Sequence, residues 1–395
     1  MKKIMILGAG RGQVDLIKSV KKYGHYAIVA SIKGNYPGFD YADECCYVDI
    51  SDPEAVLKEA KKLKIDAITT ACLDTGVASL GYVCEEMGLC GLSQKAAEIS
   101  GNKLLMKDAF MRNNVNTARY KKISSASELV NITDELRLPL IVKAVDLQGS
   151  RGINIVRDKE DLIPCFEDTM RETNQDYCII EEFIPGIKFG TEAFVFDNNT
   201  IFILPYGDVV FRGKTNIPIG HYVPYGLDEK LISKVKTEAK KAIKALNLNN
   251  CAVDVDMILY NDEVYIIELT GRVGANCLPQ LSSIYYGIDV YRLIIETALG
   301  DDPTEYFVSE KKHPTPCYAK MLYSEKSGVL KEIINNNRDD ENIYEISYFV
   351  KPGDEVRKFT NSRDCIGQIV VKGNTLEECK TRIDSVIDNI EFGIT

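Results

Sequence analysis

Asp254, Asp256, Glu268 and Arg272 lie within one stretch, 251–276, CAVDVDMILYNDEVYIIELTGRVGAN, and have types and spacing suited to handling phosphate. Two runs of period-2 alternation flank Asn261-Asp262, with acids in one phase and Val, Met, Leu and Ile in the other, which is the signature of a β-hairpin. A three-residue loop, Asn261 to Glu263, pairs Tyr260 with Val264. The same register sets Asp256 opposite Glu268 and Asp254 opposite Thr270, all on one face. A two-residue loop would put Asp256 and Glu268 on opposite faces. Opposed carboxylates repel unless a cation lies between them, and hard oxygen ligands suit Mg²⁺ carrying a substrate phosphate. The competing reading of the same pattern is a solvated strand face. Arg272 follows Glu268 by four residues in a Gly-rich setting, so a planar cation could lie beside metal-bound phosphates.

The rest of the chain must supply the scaffold for this hairpin. Its 395 residues give two or three domains, and 45% hydrophobic with 27% charged residues is ordinary for a soluble globular protein. Lys plus Arg 48 against Asp plus Glu 58 leaves a net charge of −10, which argues against a nucleic-acid partner. No apolar run reaches membrane-spanning length, and MKKIMILGAG is no signal peptide, so a cytoplasmic protein is expected. Twelve Cys without CxxC spacing read as reduced thiols, and three distant histidines leave little material for a His-rich metal site or a triad.

Residues 1–100 alternate strand and helix, a doubly wound α/β pattern. The Gly8-Ala9-Gly10 turn invites a dinucleotide reading. However, Gln13 holds the third fingerprint position, and the second strand ends in Ser31 where an acidic ribose ligand belongs. A helix begins near Ser100 with Lys103 and Lys107 one turn apart, a pairing that is usually solvent-facing. Lys143 sits inside an apolar strand and needs an anionic partner. The loop Gln148-Gly149-Ser150-Arg151-Gly152 that follows has the glycines and N–H donors to fold over phosphates. A second apolar strand runs into Glu181-Glu182-Phe183-Ile184-Pro185-Gly186, where unpaired backbone groups could bond a flat heterocycle. Residues 205–226 read as an irregular substrate-facing loop with Arg212 as a candidate for a carboxylate anion and His221 beside it. Gly213-Lys214-Thr215 resembles the end of a Walker loop, but Asp208 stands where its first glycine is required. A helix is expected over 284–299, a polar linker over 302–316 and a small α/β unit thereafter, with strands near 317–323, 344–350 and 366–372 and a helix over 375–389.

Taken in order, Asn102-Lys103, Lys143 with QGSRG, EEFIPG, and Asp256 with Glu268-Leu-Thr-Gly-Arg272 resemble the ATP-grasp superfamily, closest to its carboxylate–amine ligases. The resemblance covers nearly the whole chain. It implies a doubly wound pre-ATP-grasp domain over 1–100, an ATP-grasp domain over 101–305 and a small α/β domain over 306–395. By analogy, Lys103 and Lys143 hold ATP phosphates, Gly149 and Ser150 close over them, and Glu181, the Glu182 carbonyl and the Ile184 N–H bind adenine. Asp256 and Glu268 would hold Mg²⁺, for which Mn²⁺ can substitute, and Arg272 would stabilise the transferring phosphoryl group. Two positions depart from the pattern. Thr270 stands where the family has Asn, which puts a second Mg²⁺ in doubt. Lys188 stands where many members carry a ribose-binding Glu, leaving Glu192 as the nearer acidic candidate. The implied reaction joins a small-molecule carboxylate to an amine with release of ADP and phosphate. Bicarbonate as the carboxylate, or a non-catalytic ATP-binding regulator, are the alternatives, and a homodimer is the default assembly.

Overall fold

The computed structural model describes residues 1–147, 151–212, 216–311 and 313–395. Strands Glu44–Tyr47, Tyr26–Ser31, Lys3–Leu7 and Ala67–Thr69 form a parallel sheet in that order, with helices Arg11–Lys22 and Pro53–Leu63 as its crossovers. The strands are near-continuous apolar runs because both faces are covered, and Ile4, Ile6, Ile28 and Val29 are completely buried. Near residue 100 the helix divides. Asn102 ends Gln94–Gly101 and, with its side chain accepting from the Leu104 and Leu105 N–H groups, caps Lys103–Arg112.

A four-stranded antiparallel sheet follows, in the order Tyr120–Ile123, Cys178–Glu182, Leu140–Ala144 and Ile153–Val156. A separate eight-stranded sheet runs Glu263–Thr270, Cys251–Tyr260, Ile187–Phe196, Asn199–Arg212, Asn216–Val223, Cys317–Tyr323, Cys365–Lys372 and Ile343–Tyr348. The strands expected near 317, 344 and 366 thus extend the same sheet as the hairpin. Strand Asn216–Val223 pairs with Cys317–Tyr323.

Four expectations need correction. Residues 205–226, expected as an irregular loop, are largely strand: Asn199–Arg212 pairs antiparallel with Asn216–Val223, with a register shift between Val209 and Val210. The hairpin loop is two residues, not three: Tyr260 pairs with Glu263, and Asn261 and Asp262 both take positive φ, 50° and 59°. That is the twist-matched two-residue turn that Asn and Asp tolerate. Asp256 nevertheless faces Glu268, because the register shifts between Met257–Ile266 and Asp256–Glu268, so that Ile267 is the extra residue of a β-bulge. The bulge restores the phase that the even turn would have lost. It is pinned from outside: the Ile266 N–H donates to the Asn116 carbonyl at 2.8 Å, and Thr117 Oγ1 donates to the Ile266 carbonyl at 2.7 Å. The helix expected over 284–299 is two helices, Leu278–Tyr286 and Val290–Leu299. Gly287 at φ 68° ends the first, and the Asp289 side chain caps the second. The expected polar linker contains the helix Thr304–Glu310.

Candidate functional site

Asp254, Asp256, Glu268 and Thr270 line one face of the hairpin, while Val253, Val255, Met257 and Leu269 on the other are at most 2% exposed. Burial of that apolar face fixes the acids outward, since a one-residue slip would drive carboxylates into the core. Each acid has a cation. Lys188 Nζ, on the neighbouring strand, lies 2.9 Å from Asp256 Oδ2, and Lys103 Nζ lies 3.3 Å from Glu268 Oε2 while donating to the Leu147 carbonyl at 2.6 Å. Burial pushes the Asp256 carboxyl up to about 6, with Glu268, Asp254 and Asp208 adding to the rise against the pull of Lys188. Burial acts on Glu268 in the same direction, but Lys103, then Lys143 and Lys188, hold it below its ordinary value.

Lys143 finds the anionic partner its apolar strand demands: Glu181, on the adjacent strand and only 3% exposed. Lys107 is the second partner, with Nζ 2.8 Å from Glu181 Oε2 and donating to Thr117 Oγ1 at 2.6 Å. Lys103 and Lys107 are therefore not solvent-facing. The Asn102 cap sets the helix phase, and residues four apart share its inward face. Burial raises a carboxyl, yet Lys107 and then Lys143 pull Glu181 down to about 2. The Glu181 carboxylate is accordingly committed to two lysines and is not free for a purine edge, which corrects its expected adenine-binding role. Ile184 is half-buried in the segment between the two strands, where the Gly186 N–H donates to its carbonyl at 2.9 Å.

At the far end of the hairpin, Arg272 is fixed twice, Nε to Asp74 Oδ1 at 2.7 Å and Nη1 to Asp254 Oδ2 at 2.5 Å. Burial alone would lower its pKa, but Asp74 and Asp254 carry it well above the ordinary value. Tyr206 Oη donates to the other Asp254 oxygen at 2.9 Å. Glu192 also lies here, 1% exposed, accepting the Gly274 N–H at 2.9 Å and pushed up by burial and by Asp254. A carboxyl sealed in this way cannot reach a ribose, so the expectation for Glu192 is corrected to an internal support of the Gly-rich turn. His221 is 5% exposed with Nδ1 3.0 Å from Asp208 Oδ1, so it braces a carboxylate from within and does not face a substrate; Arg212 is exposed at its strand end. Gly149 and Ser150 lie outside the described residues, as do Gln148 and Gly213-Lys214-Thr215.

Sequence reasoning missed Lys107, Asp74, Tyr206 and Asp208. Two had signals: Lys107 is one turn from Lys103, and Asp74 follows the carboxyl end of a parallel strand, where doubly wound sheets place their ligands. Among the described residues no group of three or more His, Cys, Asp or Glu side chains could hold a metal ion. The donor set is two opposed, partly exposed carboxylates with Thr270 along the strand. That set fits a hard divalent ion that takes its other ligands from water and phosphate.

Two family models match. The ATP-binding domain of the carbamoyl-phosphate synthase L chain covers residues 102–305, and L-amino acid ligase C-terminal domain 2 covers 320–395. The crystal structure of phosphoribosylglycinamide synthetase from Anaerococcus prevotii is 47% identical with a TM-score of 0.89, over 100% of both chains. That of L-amino acid ligase from Bacillus licheniformis has the same fold, TM-score 0.84 at 18% identity, over 100% of this chain and 99% of that one. Alanine–anticapsin ligase of Bacillus subtilis strain 168 is 27% identical over 306 residues, which are 71% of this chain and 64% of the relative's length. No described helix is long and apolar enough to cross a membrane.

Proposed function

Because the chain belongs to the ATP-grasp superfamily, in its branch of ADP-forming carboxylate–amine ligases, we propose that it activates the carboxylate of an amino acid with ATP and couples it to an amine. The observation that carries this reading is the opposition of Asp256 and Glu268 across the bulged hairpin, with Lys188 on Asp256, Lys103 on Glu268 and Arg272 on Asp254 of the same face. The amino-acid class is supported by the match of residues 320–395 to an L-amino acid ligase domain, and by relatives whose names contain alanine, glycinamide or L-amino acid.

In the reaction, a carboxylate oxygen of the substrate attacks the γ-phosphorus and ADP leaves. The amine nitrogen then attacks the acyl carbon, losing a proton as phosphate departs. Such transfers need positioning and charge neutralisation rather than a covalent group on the protein. Asp256 and Glu268 would hold Mg²⁺ or Mn²⁺, which when bound would supply positive charge to the phosphates. Lys103 and Lys143 hold the phosphates, Glu181 and Lys107 set the reach of Lys143, and the Glu182 carbonyl and Ile184 N–H meet the adenine edge. Arg272, aimed by Asp74 and Asp254, holds the negative charge that develops on the transferring group and on the tetrahedral intermediate. Thr270, on the same face, would offer a neutral oxygen to such an ion. Arg212 meets a substrate carboxylate at the rim. Residues 1–100, 101–305 and 306–395 act as the three functional units. The twelve free thiols suit the reducing cytoplasm, and a homodimer is the assembly proposed.

The deciding experiment is ADP release from ATP and Mg²⁺ with pooled amino acids. Release that requires an amino acid and yields a product lacking one water supports the reading. Release driven by bicarbonate alone, or tight ATP binding without turnover, overturns it.

A further inference from the structure

We infer that Lys188 is a built-in cation occupying the place of a second divalent ion at Asp256, so that this site binds one metal ion per nucleotide. The inference rests on the proposed ATP-dependent reading and deepens it. A two-ion site needs carboxylate oxygens free on both sides of the phosphates, usually with each acid shared between the ions. Here the oxygens are already divided. Lys188 Nζ is 2.9 Å from Asp256 Oδ2, and Lys103 Nζ is 3.3 Å from Glu268 Oε2, which among the described residues leaves the second oxygen of each acid without an ion-pair partner. Asp256 and Glu268 are register partners across the hairpin, and one oxygen from each suffices as the protein's share of one octahedral shell.

The third position along the face points the same way. Thr270 offers a neutral hydroxyl, and its cross-strand partner Asp254 spends both oxygens, Oδ1 on Tyr206 and Oδ2 on Arg272. The other described acids at that end are engaged too, Glu192 by the Gly274 N–H and Asp74 by Arg272. Lys188 is also placed to stay: its strand pairs directly with the 251–260 strand, and its register partner Ile258 lies two residues from Asp256 on the same face. A lysine ammonium brings three donors and one charge where a divalent ion would bring two charges, so it balances the Asp256 carboxylate without a second metal ion.

Mn²⁺ binding tests this without relying on turnover. Equilibrium dialysis with ADP equimolar to the protein should give one Mn²⁺ per chain for the wild type and for Lys188→Arg, whereas Lys188→Gln should gain a second. The Lys188 side chain is 46% exposed, which favours folding of both variants. Two ions on the wild type, or an unchanged single ion on Lys188→Gln, would overturn the inference while leaving the ligase reading intact. No excess of ADP in the protein chamber over the buffer chamber would sink the ligase reading and this inference together.

Discussion

Replacing Glu181 by Gln should damage stability and nucleotide affinity together. The carboxylate is 3% exposed and forms ion pairs with Lys107, 2% exposed, and Lys143, 6% exposed. Gln keeps the shape but removes the charge that permits two ammonium groups to be buried side by side. The Glu181 carboxyl ordinarily titrates near 4.5 and is pushed down to about 2 here, a difference corresponding to about 3 kcal/mol. Removing one partner of a buried pair costs ~3–5 kcal/mol by general experience, which agrees. Because the folded-state value is depressed, the contribution is complete above about pH 5 and fades as pH falls from 4.5 toward 2. The melting-temperature gap between wild type and Glu181→Gln should therefore be constant at neutral pH and close in acid. The KM for ATP should rise at least about tenfold, since a loss of 1.4 kcal/mol already gives that factor and Lys143 loses its anchor. Glu182→Gln, at a half-buried neighbour paired with exposed Arg119, serves as the comparison. A gap that persists unchanged to pH 3, or an unaltered KM, would refute the claim that Glu181 positions the phosphate-binding lysines.

Three further outcomes are expected. Glu268→Gln should lower ADP release by at least about a thousandfold, a loss of ~4 kcal/mol of transition-state stabilisation, while the fold survives because the residue is partly exposed; wild-type kinetics would remove it from the metal site. Asp74→Asn should reduce kcat by roughly ten- to a hundredfold with little change in the KM for ATP, because it loosens Arg272, whose contacts strengthen during transfer; a pure KM effect would contradict that role. Gly190→Ala should destabilise the protein by ~1–3 kcal/mol or more, since a Cβ there would fall 2.0 Å from Tyr206 Cζ in a ring that is 3% exposed; an unchanged melting temperature would show that the ring can move.

Read by itself, the chain already specified its chemistry-bearing face. Alternation placed acids in one phase and aliphatics in the other, so burial of the aliphatics forces the acids outward whatever the rest of the fold does. It likewise specified the parallel sheet of the first hundred residues and the need of Lys143 for a buried anion, because those follow from local periodicity and from the cost of an unpaired charge. Only the tertiary structure decided how the register is kept. The even turn at Asn261-Asp262 and the bulge at Ile267 compensate each other, and the bulge is held by Asn116 and Thr117, about 150 residues upstream. It also decided which charges meet: Asp74 reaches Arg272 across 198 residues, and Lys107 turns inward to Glu181. Such pairings depend on how sheets and helices are stacked, and a cation at half the surface positions of a helix looks the same in sequence whether it faces water or a buried carboxylate. The alternating face was written in the order of residues; the cations paired with its acids were brought there by packing.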